Sequence, residues 1–408
     1  MPVRDSAVTG PGGPGANGSS SHPIGGLLRD RAGALGAPAG LTAVLALDVA
    51  DAGSWTARMH DGRIEIDEGI PERVDVRVTT TAPTLGDVVS GRRSGVEAFL
   101  EGDVLVRGNL AIALRLDSIF NPDGAPKRWP RFGEVHVRGM RTAYLEAGEG
   151  FPVVLLHGLG ATNASMLPTM WDLARDHRVI APDLPGFGDS AKPIRAYDAA
   201  FFARWLGGLL DKLGIDRAHL VGNSLGGRVA LEMGLRRSDR VDRLALLMPA
   251  PAFIRGRELV RVVRWLRPEL ALVPVPIRHP QVVRSIRSMF ARPSRLPRAW
   301  YDAAADEFLR VFRTPRGRIA FFSAARQIYL EEPHGDRGFW DRLPTLDRPA
   351  LFLWGERDWL VPHRFSRHVE RALPHARSVL IEDCGHVPQY EHPERTHGLI
   401  REFFGSSS

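Results

Sequence analysis

The sequence predicts an α/β protein in two unequal units, a small α+β unit over 24–120 and a larger one with a mostly parallel sheet over 132–404. Three observations carry this expectation. The chain has 408 residues, too many for one ordinary domain. Its first third holds short strands with period-two patterning, whereas the remainder alternates helical spacing with continuous apolar runs, as strands buried on both faces of a parallel sheet do. A hydrophobic fraction of 44% and a charged fraction of 25% are ordinary globular values, which exclude a disordered, collagen-like or disulfide-stapled chain.

The elements follow in order. Met1 to Gly26 is rich in Gly, Pro and Ser, lacks the apolar stretch of a signal peptide, and reads as a disordered tail over 1–23. A short helix is expected at Leu27 to Leu35. Trp55, Ala57 and Met59 then fall on one strand face, Asp61-Gly62 supplies a hairpin turn that tolerates positive φ, and Ile64 and Ile66 continue the ladder back. Val74, Val76 and Val78 make a third strand, Thr84 to Val89 and Val96 to Leu100 short helices, Val104 to Val106 a strand, and Leu110 to Phe120 a closing helix. This order, with Glu101-Gly102-Asp103 leading to Gly108, resembles the sterol-carrier-protein lipid-binding family over about a quarter of the chain. The resemblance implies a curved sheet around an apolar tunnel for a sterol, fatty acid or acyl chain. Trp55, Met59, Leu85, Phe99 and Leu100 would equally fill a solid core, because core and tunnel residues look alike in sequence.

Asn121 to Pro130 carries Asn-Pro-Asp-Gly and two further prolines, so 121–131 reads as a linker. Strands follow at Glu134 to Val137, Thr142 to Glu146 and Val153 to Leu156. The strongest local signal is Leu220-Val-Gly-Asn-Ser-Leu-Gly-Gly227, a strand ending in G-x-S-x-G and running into the helical pattern Arg228 to Leu235. A Ser on such a strand-to-helix turn has strained backbone angles, and the flanking glycines remove the Cβ atoms that would collide there. Ser224 is therefore the candidate nucleophile.

A neutral hydroxyl needs a base to take its proton and a carboxylate to hold that base in the right tautomer. His386 and Asp358 fit: Leu351 to Gly355 is an apolar strand running into the turn that holds Asp358, and Val379 to Glu382 precedes the loop Asp383-Cys-Gly-His386. Ligands in open parallel sheets gather at the carboxyl ends of strands, where these residues can converge. The chain order Ser, Asp, His is that of the α/β-hydrolases, which residues 132–404 resemble throughout. The resemblance implies an α/β-hydrolase fold, the triad Ser224, Asp358 and His386, and an oxyanion hole from the backbone amides of Leu159 and Leu225. Each such donor is typically worth about 2.7–4 kcal/mol. It matches Asp358 rather than Glu356 to the acid of the W-G-x-x-D pattern and gives His157 a structural part. Asp183 in Asp183-Leu-Pro-Gly-Phe-Gly-Asp-Ser190 is expected to stabilise a loop, His392 to lie at the surface, and Cys384 to be a small buried filler.

Pro251 to Leu343 reads as a helical cap, with helical spacing in Val260-Val263-Leu266, Val282 to Phe290 and Phe308-Val311-Phe312. In the family such caps cover the pocket and select the substrate. Most of Trp265, Met289, Phe290, Trp300, Phe308 and Phe312 are expected to be cap core, a few to line the pocket.

The net charge of +7 is uneven, for 251–330 holds sixteen Arg against five acids and leaves the remainder net acidic. Only three basic residues are Lys, and the abundance of Ala, Gly and Pro makes this a coding bias rather than phosphate recognition, so no nucleic-acid partner is expected. The basic cap instead favours acidic substrates or peripheral contact with an anionic membrane. One cysteine gives no intrachain disulfide and no multi-cysteine metal site, which points to the cytoplasm. The longest apolar run, Leu244 to Ile254, is broken by Pro249 and Pro251 and falls short of the roughly 20 residues a spanning helix needs.

The leading expectation is a serine hydrolase of carboxylic esters of hydrophobic, lipid-like small molecules, without metal or organic cofactor. Ser at the elbow argues against the dehalogenases and epoxide hydrolases of the family, which use Asp there. Carbon–carbon bond hydrolases of ring-cleavage products remain an alternative, since their elbow reads Gly-Asn-Ser-x-Gly-Gly as Gly222 to Gly227 does. Another is a lipid carrier whose hydrolase fold only supplies a pocket.

Overall fold

The computed structural model describes residues 23–35, 37, 41–120, 126–252, 260, 263, 276–336 and 338–405. The expected tail and Trp265 and Leu266 of the cap lie outside these residues, and so does 121–125 of the expected linker.

The first unit opens with α1 (Pro23–Leu35) and builds one five-stranded sheet from β1 (Ala43–Val49), β2 (Gly53–His60), β3 (Arg63–Glu68), β4 (Val76–Thr80) and β5 (Leu105–Gly108), in the order β3-β2-β1-β4-β5. β1 pairs antiparallel with β2 and parallel with β4, while β2–β3 and β4–β5 are antiparallel. The β2–β3 hairpin turns at Asp61 and Gly62 with φ of 49° and 75°, a conformation that suits this pair of residues. Trp55, Ala57 and Met59 all face the core. The central strand β1 was not expected. Its sequence Ala-Val-Leu-Ala-Leu-Asp-Val is buried at five of seven positions, so it shows no period-two alternation to read. Helices α2 (Ala82–Val89), α3 (Gly95–Glu101) and α4 (Leu110–Phe120) complete the unit. The Thr81 and Ser94 side chains accept the backbone N–H groups of Thr84 and Val96 at the first turns of α2 and α3.

The second unit holds an eight-stranded sheet in the order β13-β12-β11-β10-β8-β9-β7-β6. Its strands are β6 (Arg131–Val137), β7 (Met140–Ala147), β8 (Phe151–Leu156), β9 (His177–Pro182), β10 (Ala218–Asn223), β11 (Val241–Leu247), β12 (Ala350–Gly355) and β13 (Arg377–Ile381). From β9 to β13 every pairing is parallel, and the antiparallel β7 and β6 close one edge. β10 and β12 are buried at every position, β11 at six of seven and β8 at four of six, as a sheet covered by helices on both faces requires. Among these helices are α5 (Leu167–Leu173), α6 (Ala199–Lys212) and α7 (Leu225–Arg236). The segment before β6 is not a free connection, because Trp129 is buried and the Gly148 N–H donates to the Lys127 carbonyl at 2.7 Å.

Between β11 and β12 lie α8 (His279–Ser288), α9 (Arg298–Phe312) and α10 (Pro315–Leu330), the described part of the cap, followed by α11 (Phe339–Arg342). α12 (Ser366–Ala372), α13 (Pro388–Glu391) and α14 (Pro393–Gly405) follow β12 and β13. Val260 and Val263 are helical, as their spacing predicts. Among the described residues no helix is long and apolar enough to cross a membrane. Much cap charge is used internally. Arg292 and Arg295 pair with Asp383, and Arg310 with Asp189 and Glu307.

Candidate active site

Ser224 follows the last residue of β10 with φ 54° and ψ −115°, a left-side conformation that costs a non-glycine residue energy and must be held by its surroundings. The neighbouring glycines make the turn sterically possible. A Cβ at Gly222 would stand 2.4 Å from the Gly226 carbonyl carbon, and one at Gly226 2.0 Å from the Leu156 carbonyl oxygen. The turn is fastened by the Ser224 N–H to the Leu247 carbonyl at 2.9 Å and the Ala250 N–H to the Ser224 carbonyl at 3.0 Å.

Asp358 and His386 sit beyond the carboxyl ends of β12 and β13. Asp358 is buried, and its Oδ1 accepts the N–H groups of Leu360 (2.8 Å) and Val361 (3.0 Å). Its Oδ2 lies 2.7 Å from His386 Nδ1. With the Asp358 carboxylate as the acceptor at Nδ1, the His386 proton is held there and the Nε2 lone pair is left unspent. Ser224 and His386 both line one cavity of about 760 Å³, within the range of small-molecule sites. Leu159 lies on its wall beside Gly158, and Leu225 is the first residue of α7. All five singled-out residues thus gather at one end of the sheet.

The competing residues are otherwise engaged. His157 Nε2 accepts the Leu184 N–H at 2.9 Å and Nδ1 lies 2.8 Å from the Gly158 carbonyl; burial pushes its pKa down to about 4, so it is a neutral structural group. Glu356 is exposed and accepts the Asp383 N–H at 3.0 Å. Asp183 accepts the N–H groups of Asn163 (2.8 Å) and Asp189 (2.7 Å), and burial raises its pKa to about 7. Cys384 is fully buried, which pushes its thiol pKa up and keeps it protonated. His392 departs from the surface position expected of it. It is half-buried, with Nε2 3.0 Å from the Asp383 carbonyl, in a turn closed by α13.

The larger correction concerns the cap. Met289, Phe290, Trp300 and Phe308 all line the cavity that holds Ser224 and His386, and only Phe312 of the described aromatic set is buried away from it. α8 and α9 both supply the cavity wall, and between them they also enclose a small cap core of Val282, Val283, Tyr301, Ala305 and Leu309, against which Phe290 and Phe308 pack, so these two residues serve core and cavity at once. Sequence reasoning also missed two residues that hold His386. The Glu391 carboxylate accepts the N–H groups of Gly385 (3.0 Å), Val387 (3.3 Å) and, from the cap, Ala291 (2.7 Å). Asn223 Nδ2 donates to the carbonyls of Leu247 (3.1 Å) and His386 (3.2 Å). Glu391, five residues after His386, carried no recognisable signal, whereas Asn223 stood in the elbow motif itself.

Residues 152–393, more than half of the chain, match the model of the alpha/beta hydrolase fold. The chain belongs to the alpha/beta hydrolases. Ahead of this hydrolase domain, residues 26–121 match the SCP-2 sterol transfer family. The hydrolase is 30% identical over 291 residues to a 2-hydroxymuconate semialdehyde hydrolase of Pseudomonas sp. (strain CF600), covering 69% of this chain and 97% of that protein. Among solved structures it is similar to a membrane phospholipase A described as a bacterial virulence factor (TM-score 0.57, 25% identity, 79% of this chain and 96% of that one). It is also similar to a thermophilic esterase from Thermogutta terrifontis (TM-score 0.56, 26% identity, 67% and 98%).

Proposed function

We propose that this hydrolase cleaves carboxylic esters of hydrophobic, lipid-like molecules through an acyl-enzyme on Ser224. The observation that carries the reading is the strained Ser224 turn opening into an apolar cavity that also holds the Asp358-bound His386. His386 Nε2 takes the Ser224 proton as Oγ attacks the carbonyl, and the backbone amides of Leu159 and Leu225 receive the oxyanion. The proton passes to the alcohol oxygen as the ester bond breaks, and water then attacks the acyl-enzyme with the same base. Asp358 orients His386 and stabilises the imidazolium. No step requires a metal or organic cofactor.

Two observations support a lipid-like ester. The N-terminal domain matches a sterol transfer family, and the phospholipase A similarity covers 79% of the chain, more than residues 126–405 alone can supply. A second reading, cleavage of a carbon–carbon bond in a ring-cleavage product, is favoured by the 2-hydroxymuconate semialdehyde hydrolase relative and by the Gly222 to Gly227 elbow. The deciding experiment compares wild type and Ser224→Ala on p-nitrophenyl acyl esters of increasing chain length and on 2-hydroxymuconate semialdehyde. The ester reading expects turnover of the esters and a loss on the order of 10³-fold or more in the variant. Turnover of the ring-cleavage product alone would replace it with the second reading.

A further inference from the structure

The N-terminal domain contains its own cavity, narrow at about 100 Å³, between the sheet face carrying Leu45, Leu47 and Val78 and the helices carrying Leu85, Val89 and Ala113. Among the described residues no charged side chain lines it. The one side-chain hydroxyl among its described lining residues, on Thr80, already donates to the Asp103 carbonyl at 2.9 Å. This described lining offers nothing to a carboxylate, a phosphate or a sterol hydroxyl, since burying a polar head without partners is costly. It suits the end of an apolar chain whose polar part lies elsewhere.

The place for that polar part adjoins it. Phe99 and Leu110 line both this cavity and the catalytic one. From Phe99 an aromatic row continues toward the triad, with Trp300 stacked on Phe99 (centroids 6.1 Å apart) and Tyr390 edge-on to Trp300 (5.4 Å). Trp300 and Tyr390 are catalytic-cavity residues.

The two units are also latched at this junction by polar contacts too specific for casual packing. Asp306 on α9 accepts Arg107 Nε (2.8 Å) and the Gly108 N–H (2.9 Å), and the next residue, Glu307, accepts the Leu110 N–H at 2.8 Å. Two consecutive cap carboxylates thus satisfy backbone N–H groups at the β5–α4 junction, Asp306 at the end of β5 and Glu307 at the first residue of α4, where unpaired N–H groups and the helix dipole favour negative charge. A cap helix that walls the Ser224 cavity is the one that grips the N-terminal domain.

We propose that the two cavities are one substrate channel, in which the N-terminal cavity holds the far end of a linear acyl chain while its ester carbonyl lies at Ser224, the chain passing between Phe99 and Leu110. This deepens the ester reading and rests on it for the position of the carbonyl. It makes the N-terminal domain a chain-length selector for the hydrolase.

The test uses the full-length protein with the N-terminal cavity filled from within by Val78→Trp or, independently, Ala113→Phe. On p-nitrophenyl esters, the ratio of dodecanoyl to butyryl kcat/KM should fall on the order of tenfold in both variants, because several methylenes lose their burial. A second measurement needs no turnover. Binding of cis-parinaric acid, a linear fluorescent fatty acid, to Ser224→Ala protein should be weakened both by Val78→Trp and by Ile286→Trp, which fills the catalytic cavity. An unchanged chain-length ratio in folded variants, or fatty-acid binding that responds to one end only, overturns the channel and leaves the ester reading standing. Absence of ester turnover with binding that depends on both ends overturns the ester reading and leaves the channel.

Discussion

Nδ1 of His386 lies 2.7 Å from Oδ2 of Asp358, a contact delivered by two neighbouring parallel strands, β12 and β13, whose carboxyl ends open side by side. The second carboxylate oxygen is fully occupied by the backbone N–H groups of Leu360 and Val361, so Asp358 has one rotational state to offer the imidazole. Asp358→Asn keeps the shape but presents an amide, which either turns its NH₂ toward Nδ1 or loses both backbone donors. The wrong tautomer should then predominate and kcat fall on the order of 10³- to 10⁴-fold with little change in KM. Ester kinetics beside a near-ultraviolet dichroism spectrum check this; a loss below tenfold in a native-like protein would contradict the assignment of Asp358.

Gly226 and Gly398 are glycines of two different kinds. A Cβ on Gly226 would sit 2.0 Å from the Leu156 carbonyl oxygen, so α7 can approach β8 only without a side chain there. Gly398 lies inside α14, where a methyl group would meet no atom within 4 Å, and it needs no positive φ. Gly226→Ala should therefore cost more than about 3 kcal/mol or prevent folding, whereas Gly398→Ala should stabilise by about 0.4–1 kcal/mol. Thermal melts of the two proteins, read side by side, test the contrast.

What was legible in the sequence was what the backbone dictates. Ser224 stands out because a strained turn demands glycines at fixed offsets, and Asp358 and His386 because apolar strands must end before polar loops begin. The central strand β1 escaped notice because burial on both faces erases alternation. The cavity-wall residues Met289, Phe290, Trp300 and Phe308 were expected mostly in a cap core, since a side chain lining a cavity and one filling a core have the same chemistry. The joint lining of two cavities by Phe99 and Leu110 and the grip of Asp306 and Glu307 on the β5–α4 junction depend on how two units dock. No local spacing records that.

Glu391 ties the loop of His386 to the cap, accepting N–H groups from Gly385, Val387 and Ala291. Gln in its place retains one acceptor oxygen and brings an amide that faces donors. Glu391→Gln should lower stability by about 1–3 kcal/mol and, by freeing the loop, lower kcat for short esters about tenfold. Urea titration and steady-state kinetics of the same preparation check both. Full activity with unchanged stability would show that the loop holds His386 without this carboxylate.

Glu232 on α7 gives a pH dependence with a definite sign. It is almost fully buried, which alone would raise its pKa, but Arg228, Arg342 and Arg236 surround it and hold the carboxyl at about 2. Arg228 Nη2 donates to it at 2.8 Å and Arg342 Nη2 at 3.0 Å, with Arg236 as a third partner. A folded-state pKa below the unfolded value near 4.5 means that the unfolded chain takes up the proton first as pH falls. The stabilisation is therefore fully present above about pH 4.5 and is lost progressively down to about pH 2, at most about 3.5 kcal/mol at roughly 1.4 kcal/mol per pH unit. Glu232→Gln should remove that slope from an acid denaturation series while lowering stability near neutrality, because it leaves Arg228 buried with one carboxylate, Glu331, in place of two. An acid limb as steep in the variant as in wild type would assign the acid sensitivity to other carboxylates.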